Sequence, residues 1–148
     1  MTAQPPLLIV DDDPEMRAFL TQALEVHGHV VTPVESGQRA LELLQDLDVG
    51  VVIADVFLKG INGVELLRRV RELTQTTQVV LTGRDVPTYT VVNAIKQGAL
   101  DFVEKPVDPD YFLLVVGKAI AHFRLMQENQ ALKRVFNLRE GRLDDMVA

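Results

Sequence analysis

Residues 7–14 read Leu7-Leu8-Ile9-Val10-Asp11-Asp12-Asp13-Pro14, an unbroken apolar run that stops at three acids and a proline. Four apolar residues in a row suit a strand buried on both faces, as in a parallel sheet. Pro14 fits a first helical position, and after it Met16, Phe19, Leu20, Ala23 and Leu24 recur at three-and-four spacing until Gly28 closes the stretch. The local order is strand, acidic turn, helix.

The same alternation continues along the chain. His29 to Val34 suits a second strand, and Ala40, Leu41, Leu43, Leu44 and Leu47 suit a helix entered through Ser36-Gly37. Val49 to Ala54 is too short and too β-branched for a helix, and Asp55 ends it. A loop at Gly60 to Gly63 leads into a helical stripe of Val64, Leu66, Leu67, Val70 and Leu73. Gln78 to Leu81 predicts a fourth strand, Thr88 to Gln97 a fourth helix stopped by Gly98, Leu100 to Val103 a fifth strand, and Leu113 onward a fifth helix. Five such repeats, each with an apolar strand, predict an α/β fold: a doubly wound five-stranded parallel sheet with helices on both faces. Sheets of this kind bind ligands beyond the carboxyl ends of their strands. Function is therefore sought at those ends.

Composition narrows the classes. With 148 residues the chain has room for one ordinary domain and a tail, and 47% hydrophobic residues can supply a core. Zero cysteines exclude disulfides, thiolate zinc sites and thiol nucleophiles, in keeping with a reducing, cytoplasmic setting. Net charge of -6 and a pI near 5.0 oppose direct binding to nucleic acid. No apolar run approaches the roughly 18 residues of a membrane span, and Met1 to Pro6 lacks the pattern of a signal peptide. A soluble protein with no membrane contact is expected.

Polar residues stand at the predicted strand ends: Asp11, Asp12 and Asp13 after the first, Asp55 after the third, Thr82 after the fourth and Lys105-Pro106 after the fifth. With Ile9-Val10-Asp11-Asp12, Asp55 eight residues before Gly63, Val80-Leu81-Thr82-Gly83, and the run Gly98 to Pro106, the sequence over about residues 7 to 122 resembles the receiver domain of bacterial two-component response regulators. Each motif alone is weak; four in order, each at a strand end, are specific.

The resemblance implies the strand order 2-1-3-4-5. In that order the first and third strands are neighbours, about 4.8 Å apart, so the carboxylates of Asp11, Asp12 and Asp55 are expected to crowd together. Lys105, two strands from Asp55, reaches back on its long side chain. Crowded carboxylates disfavour one another's ionisation unless a cation intervenes, and one lysine cannot neutralise three acids. A hard dication such as Mg²⁺ can.

By the same resemblance Asp55 is the phospho-acceptor, Asp12 the direct metal ligand, and Asp11 an aid in orienting the metal. Asp55 and the backbone carbonyl of Phe57 complete the protein's share of the shell. Thr82 and Phe102 are the pair that reorients on phosphorylation, Lys105 pairs with the phosphoryl group, and the Lys105-Pro106 bond is expected to be cis. A sensor histidine kinase or phosphotransfer protein is the implied donor. The face formed by helix four, strand five and helix five is the implied partner surface. The domain is implied to be no enzyme beyond its own phosphorylation and dephosphorylation.

Two departures from the family pattern concern the lifetime of the phosphoryl group. Leu58-Lys59 stands where Met-Pro is frequent, and Phe57 and Arg84 border the pocket. Asp13 reads as a helix N-cap rather than a ligand. His27, His29 and His122 show no ligand spacing. An Asp11-x-Asp13 phosphatase of the haloacid dehalogenase type is rejected, because Glu15 stands where Thr or Val is needed.

Beyond Ala121 the helical pattern continues. Leu125, Asn129, Leu132 and Phe136 form about two heptads before Arg139 and Gly141 interrupt the seam. The organisation expected is an N-terminal tail over 1–6, the receiver over 7–122, and a helical linker or short coiled coil over 123–148. The long helix resembles receivers fused to output domains. The 26 residues after His122 hold no such unit, so either a larger protein was cut or the receiver acts alone. A possible homodimer is expected through the face of helix four, strand five and helix five together with the C-terminal helix, and the competing reading is a constitutive dimerisation or adaptor module with a vestigial acidic pocket. A phosphatase acting on small substrates is disfavoured, since nothing visible activates water.

Overall fold

The computed structural model describes residues 4–147, with side chains described through residue 139. Residues 1–3 of the expected tail and residue 148 of the expected extension lie outside the described residues. The elements alternate without exception: β1 (Leu7–Val10), α1 (Pro14–Glu25), β2 (Val31–Val34), α2 (Gly37–Asp46), β3 (Val51–Asp55), α3 (Gly63–Leu73), β4 (Gln78–Gly83), α4 (Thr88–Lys96), β5 (Asp101–Glu104) and α5 (Pro109–Val147). All four strand pairings are parallel and the order is β2-β1-β3-β4-β5.

Alternation along the strands divides the core in two. Leu7, Ile9, Val51, Ile53, Val80 and Val103 pack with Leu20 and Leu24 of α1 and with Phe112, Val116 and Ile120 of α5. The intervening residues Leu8, Val10, Val52, Ala54, Val79 and Leu81 pack with Ala40 and Leu41 of α2, with Leu66 and Val70 of α3, and with Ala94 of α4. Apolar residues on both sides of each strand are what a sheet covered on both faces requires.

Local chemistry sets the helix starts. Asp13, Ser36 and Asn62 each accept a backbone N–H from the first turn of α1, α2 and α3, a contribution of about 1 kcal/mol apiece. Gly63 explains its own spacing from Asp55: a Cβ there would collide with the Asp55 carbonyl, so only glycine lets α3 start this close to β3.

Several boundaries differ from the sequence expectation. β2 begins at Val31 rather than His29, and β5 is shifted one residue onward, to Asp101–Glu104. α4 ends at Lys96, one residue short of Gln97. Asp55 belongs to β3, and Thr82 and Gly83 belong to β4, because Val56 N–H donates to the Thr82 carbonyl and prolongs the ladder. α5 begins at Pro109 rather than Leu113. It opens on Pro109 and Asp110, and the Asp108 carboxylate accepts the Asp110 N–H there. The α5 backbone also continues past Arg139 and Gly141 to Val147, since one glycine costs a helix only about 1 kcal/mol. Side chains beyond 139, and with them the end of the seam, lie outside the described ones.

The amino-terminal edge of the sheet carries the root of the projecting helix. Pro5 is buried between Gly50 and Phe123, Gly50 N–H donates to the Pro6 carbonyl at 2.8 Å, and Phe123 is the last buried side chain of α5 among the described residues. Cavities of about 730 Å³ and 340 Å³ flank this root. Among the described residues no helix is long and apolar enough to cross a membrane.

Candidate functional site

Strand register brings the polar strand ends to one place. Val10 pairs with Ala54, so Asp11 follows on beside Asp55, and Asp55 pairs directly with Thr82. Thr82 pairs in turn with Val103, two residues before Lys105, whose N–H continues the ladder to the Gly83 carbonyl at 2.9 Å. The period of two therefore turns Asp11, Asp55, Thr82 and Lys105 to the same side of the sheet, the side of α1 and α5.

The four side chains are all buried. Lys105 Nζ donates to Asp55 Oδ2 at 2.6 Å and to Asp11 Oδ2 at 2.9 Å. Burial alone pulls the ammonium pKa down; hydrogen bonds and charge from Asp55 and Asp11 outweigh it, and the net displacement is upward. The remaining oxygens are held by turns: Asp55 Oδ1 accepts Phe57 N–H at 2.8 Å, and Asp11 Oδ1 accepts Asp13 N–H at 2.9 Å. The Thr82 hydroxyl, 1% exposed, has no hydrogen-bond partner. The Lys105-Pro106 bond is cis, as expected.

One placement corrects the sequence reading. The expected crowd of three carboxylates is a pair, Asp11 and Asp55, bridged by the ammonium. Asp12 is half-exposed and in no ion pair among the described residues. Accordingly no ready cage of three His, Asp or Glu side chains is found among the described residues. Phe102 does not share a face with Thr82. It pairs with Leu81 and packs in the α2, α3 and α4 core, its ring 3.6 Å from where a Cβ on Gly83 would lie. Lys59 and Arg84 are exposed, and Phe57 is 56% exposed at the rim.

Sequence reasoning missed Arg17. Its Nη1 donates to the Asp11 carbonyl at 2.7 Å. The signal was a cation early in a helix, where the dipole disfavours it, shortly after an acidic triplet.

The donor set fits Mg²⁺. Asp11, Asp12 and Asp55 bring three negative charges against one ammonium, leaving two uncompensated. Each paired carboxylate oxygen uses one of its two lone pairs, and Asp12 is open at the rim, so hard oxygen donors remain available.

The family model of the response regulator receiver domain matches residues 7–116. This chain belongs to that family. The receiver is 40% identical over 134 residues to the C4-dicarboxylate transport transcriptional regulatory protein DctD of Pseudomonas aeruginosa, over 88% of this chain and 28% of the relative. It is 34% identical to the transcriptional regulatory protein FixJ of Bradyrhizobium diazoefficiens, over 89% of this chain and 64% of that protein. The chain thus spans between about a quarter and two thirds of these relatives. Among solved structures, NtrX from Brucella abortus superposes with a TM-score of 0.80 at 29% identity, covering 88% of this chain and 30% of that one. The isolated NtrX receiver domain gives 0.74 at 30%, covering 78% and 98%. The protein is a signalling domain of two-component response regulators. A dimerisation module with a vestigial pocket is not favoured, since Asp11, Asp55, Thr82 and Lys105 are all present and gathered.

Proposed function

We propose that Asp55 accepts a phosphoryl group from a sensor histidine kinase or phosphotransfer protein in a Mg²⁺-dependent transfer, and that the modified receiver changes its affinity for partners. The observation that carries this reading is the Thr82 hydroxyl, which is buried directly across the ladder from Asp55 and unpaired. An unpaired buried hydroxyl costs about 1–3 kcal/mol, and an oxygen of a phosphoryl group on Asp55 removes that cost by accepting its hydrogen.

A carboxylate oxygen of Asp55 attacks phosphorus in line as the bond from phosphorus to the donor's histidine nitrogen breaks, and the leaving imidazole takes its proton from solvent. A carboxylate needs no general base for this step. Phe57 N–H steadies Oδ1 while the Lys105 ammonium, already 2.6 Å from Oδ2, follows the negative charge outward onto the phosphoryl oxygens. Mg²⁺, when held by Asp12 with Asp11, Asp55 and the Phe57 carbonyl, supplies the positive charge that the transferring oxygens require. The receiver catalyses its own phosphorylation and dephosphorylation and no other turnover.

Thr82 drawn toward the phosphoryl group shifts the end of β4, and the Phe102 ring beside Gly83 responds on the opposite face. Exposed Val92 and Ile95 of α4 and Tyr111 and Leu114 of α5 offer an apolar partner face there. Along the rest of α5, exposed Leu125, Leu132 and Phe136 support a homodimer seam. Residues 7–122 act as the receiver, 1–6 as a tail and 123–148 as a helical linker or short coiled coil. The setting is cytoplasmic, without direct contact with nucleic acid or membrane.

Acetyl phosphate with Mg²⁺, read by intact mass, is expected to phosphorylate the wild type and leave Asp55→Asn untouched. Equal labelling of the two overturns the assignment.

A further inference from the structure

Arg17 lies early in α1, where a cation faces the positive end of the helix dipole. Its backbone N–H is already used, donating to the Asp13 carbonyl at 2.9 Å. Its half-buried side chain nevertheless turns back out of the helix to reach the Asp11 carbonyl at 2.7 Å. The acidic turn is therefore fastened at three points. Asp13 N–H donates to Asp11 Oδ1 at 2.9 Å, Glu15 N–H to Asp13 Oδ1 at 3.0 Å, and Arg17 to the Asp11 carbonyl. The first bond is local to the turn, and the second caps α1 on Asp13. The Arg17 side chain ties the Asp11 carbonyl itself to α1.

Asp12 sits between these fastened residues and is in no ion pair among the described residues. With no partner of its own, its carboxylate points where the turn backbone aims it. We propose that Arg17 is a positioning residue for metal binding: by pinning the Asp11 carbonyl it holds the Asp12 carboxylate toward a Mg²⁺ shared with Asp55. This rests on the reading of Asp55 and Asp12 as the phosphorylation site.

The sign of the effect separates positioning from charge. Arg17 is a cation near an acidic pocket, so if its Coulomb field were all that mattered, removing it would tighten binding of a dication. If it holds Asp12 in place, removing it weakens binding, and loss of an outer-shell partner typically costs about 10- to 100-fold in metal affinity.

Mg²⁺ is titrated calorimetrically into the full chain as wild type, Arg17→Met and Arg17→Lys, with Mn²⁺ and its paramagnetic resonance signal as a second probe. Urea unfolding in chelator monitors the fold. Arg17→Met is expected to bind Mg²⁺ about tenfold more weakly, and Arg17→Lys, which restores a donor, to recover most of the loss. Phosphorylation by acetyl phosphate at saturating Mg²⁺ is expected to stay within about threefold of wild type, the pattern of lost binding rather than lost chemistry. Unchanged or tighter Mg²⁺ binding by Arg17→Met overturns the proposal. Wild type that binds no Mg²⁺ overturns instead the site reading beneath it. Arg17→Gln, an uncharged donor, serves in place of Arg17→Met if that variant does not unfold cooperatively, with recovery of affinity expected and a tenfold loss contrary to the hydrogen-bond argument.

Discussion

Lys105 Nζ lies 2.6 Å from Asp55 Oδ2, a contact between residues fifty positions apart that closes the site across two strands of the sheet. The ammonium bridges on to Asp11, so a single side chain separates two buried carboxylates.

Removing it leaves those carboxylates facing each other with no cation between them. Losing one member of a buried pair costs roughly 3–5 kcal/mol. Lys105→Met is therefore expected to be destabilised by about 3 kcal/mol in chelator, and saturating Mg²⁺ is expected to restore more stability to it than to wild type. Urea midpoints with and without Mg²⁺ measure both; an equal response in the two proteins contradicts a shared cation site.

The same bridge fixes the alkaline limb of stability. The Lys105 pKa is raised above its ordinary 10.5 because attraction to Asp55 and Asp11 outweighs the effect of burial. In that case the contribution is fully present below the unfolded-state value and is lost as pH climbs through the folded-state value. Wild-type stability is expected to fall more steeply than that of Lys105→Met as pH rises past 10.5, in denaturant titrations across that range. Parallel profiles count against the bridge.

Thr82 carries an opposite expectation for the two states of the receiver. Thr82→Val removes an unpaired hydroxyl at little change in volume, so the resting domain is expected to gain about 1 kcal/mol. Beryllofluoride with Mg²⁺ should then stabilise the variant less than wild type, because the ligand's fluorines find no hydroxyl to bond. Thermal unfolding with and without beryllofluoride reads both effects. A resting-state loss together with an undiminished response would show that the hydroxyl already has its partner.

Much of this was legible because parallel strands buried on both faces leave polar residues only at their ends. Asp11, Asp55, Thr82 and Lys105 stood out against Leu7 to Val10, Val51 to Ala54 and Val79 to Leu81 for that reason. The direction of each side chain was harder. Phe102 is next to the Thr82 partner Val103 in the β4–β5 register, which turns it to the other face. Asp12 depends on turn geometry rather than on the period of a strand. The bond from Arg17 to the Asp11 carbonyl depends on how α1 leaves the turn, which apolar spacing does not encode. The start of α5 was missed because it rests on Pro109 and on the Asp108 carboxylate that accepts the Asp110 N–H, neither of which belongs to the apolar stripe.

The seam on α5 predicts its own disruption. Leu132 is 67% exposed and Phe136 60% on the same stripe as Leu125, an apolar row with no cover from the domain. If two copies pair along it, Leu132→Glu sets like charges opposite each other and is expected to shift the protein to monomer in sedimentation at micromolar concentration, with the melting temperature of the receiver little changed. A wild type that is already monomeric there removes the basis for the seam.

Gly50 tests how the projecting helix is rooted. A Cβ at this position would lie 2.7 Å from Pro5 Cβ and 3.2 Å from Phe123 Cδ2, so one added methyl presses on both the N-terminal segment and the last buried residue of α5. Overpacking of this kind costs about 1–3 kcal/mol, and the softer neighbour yields first. Pro5 belongs to a short segment, held near α5 by the Arg124 to Gln4 hydrogen bond of 3.4 Å and near β3 by the Gly50 N–H to Pro6 carbonyl bond of 2.8 Å. Phe123 is anchored in a helix whose preceding turns fill the core. Gly50→Ala is therefore expected to release the N-terminal segment while leaving the phosphorylation site, at the opposite edge of the sheet, unchanged. Hydrogen exchange should rise at Gly50 and at the start of β1 but not at Asp55 or Thr82, and the acetyl phosphate reaction should keep its wild-type rate. If exchange rises instead along α5 beyond Phe123, the helix root has yielded first, and Pro5 rather than Phe123 is the firmer side of the joint.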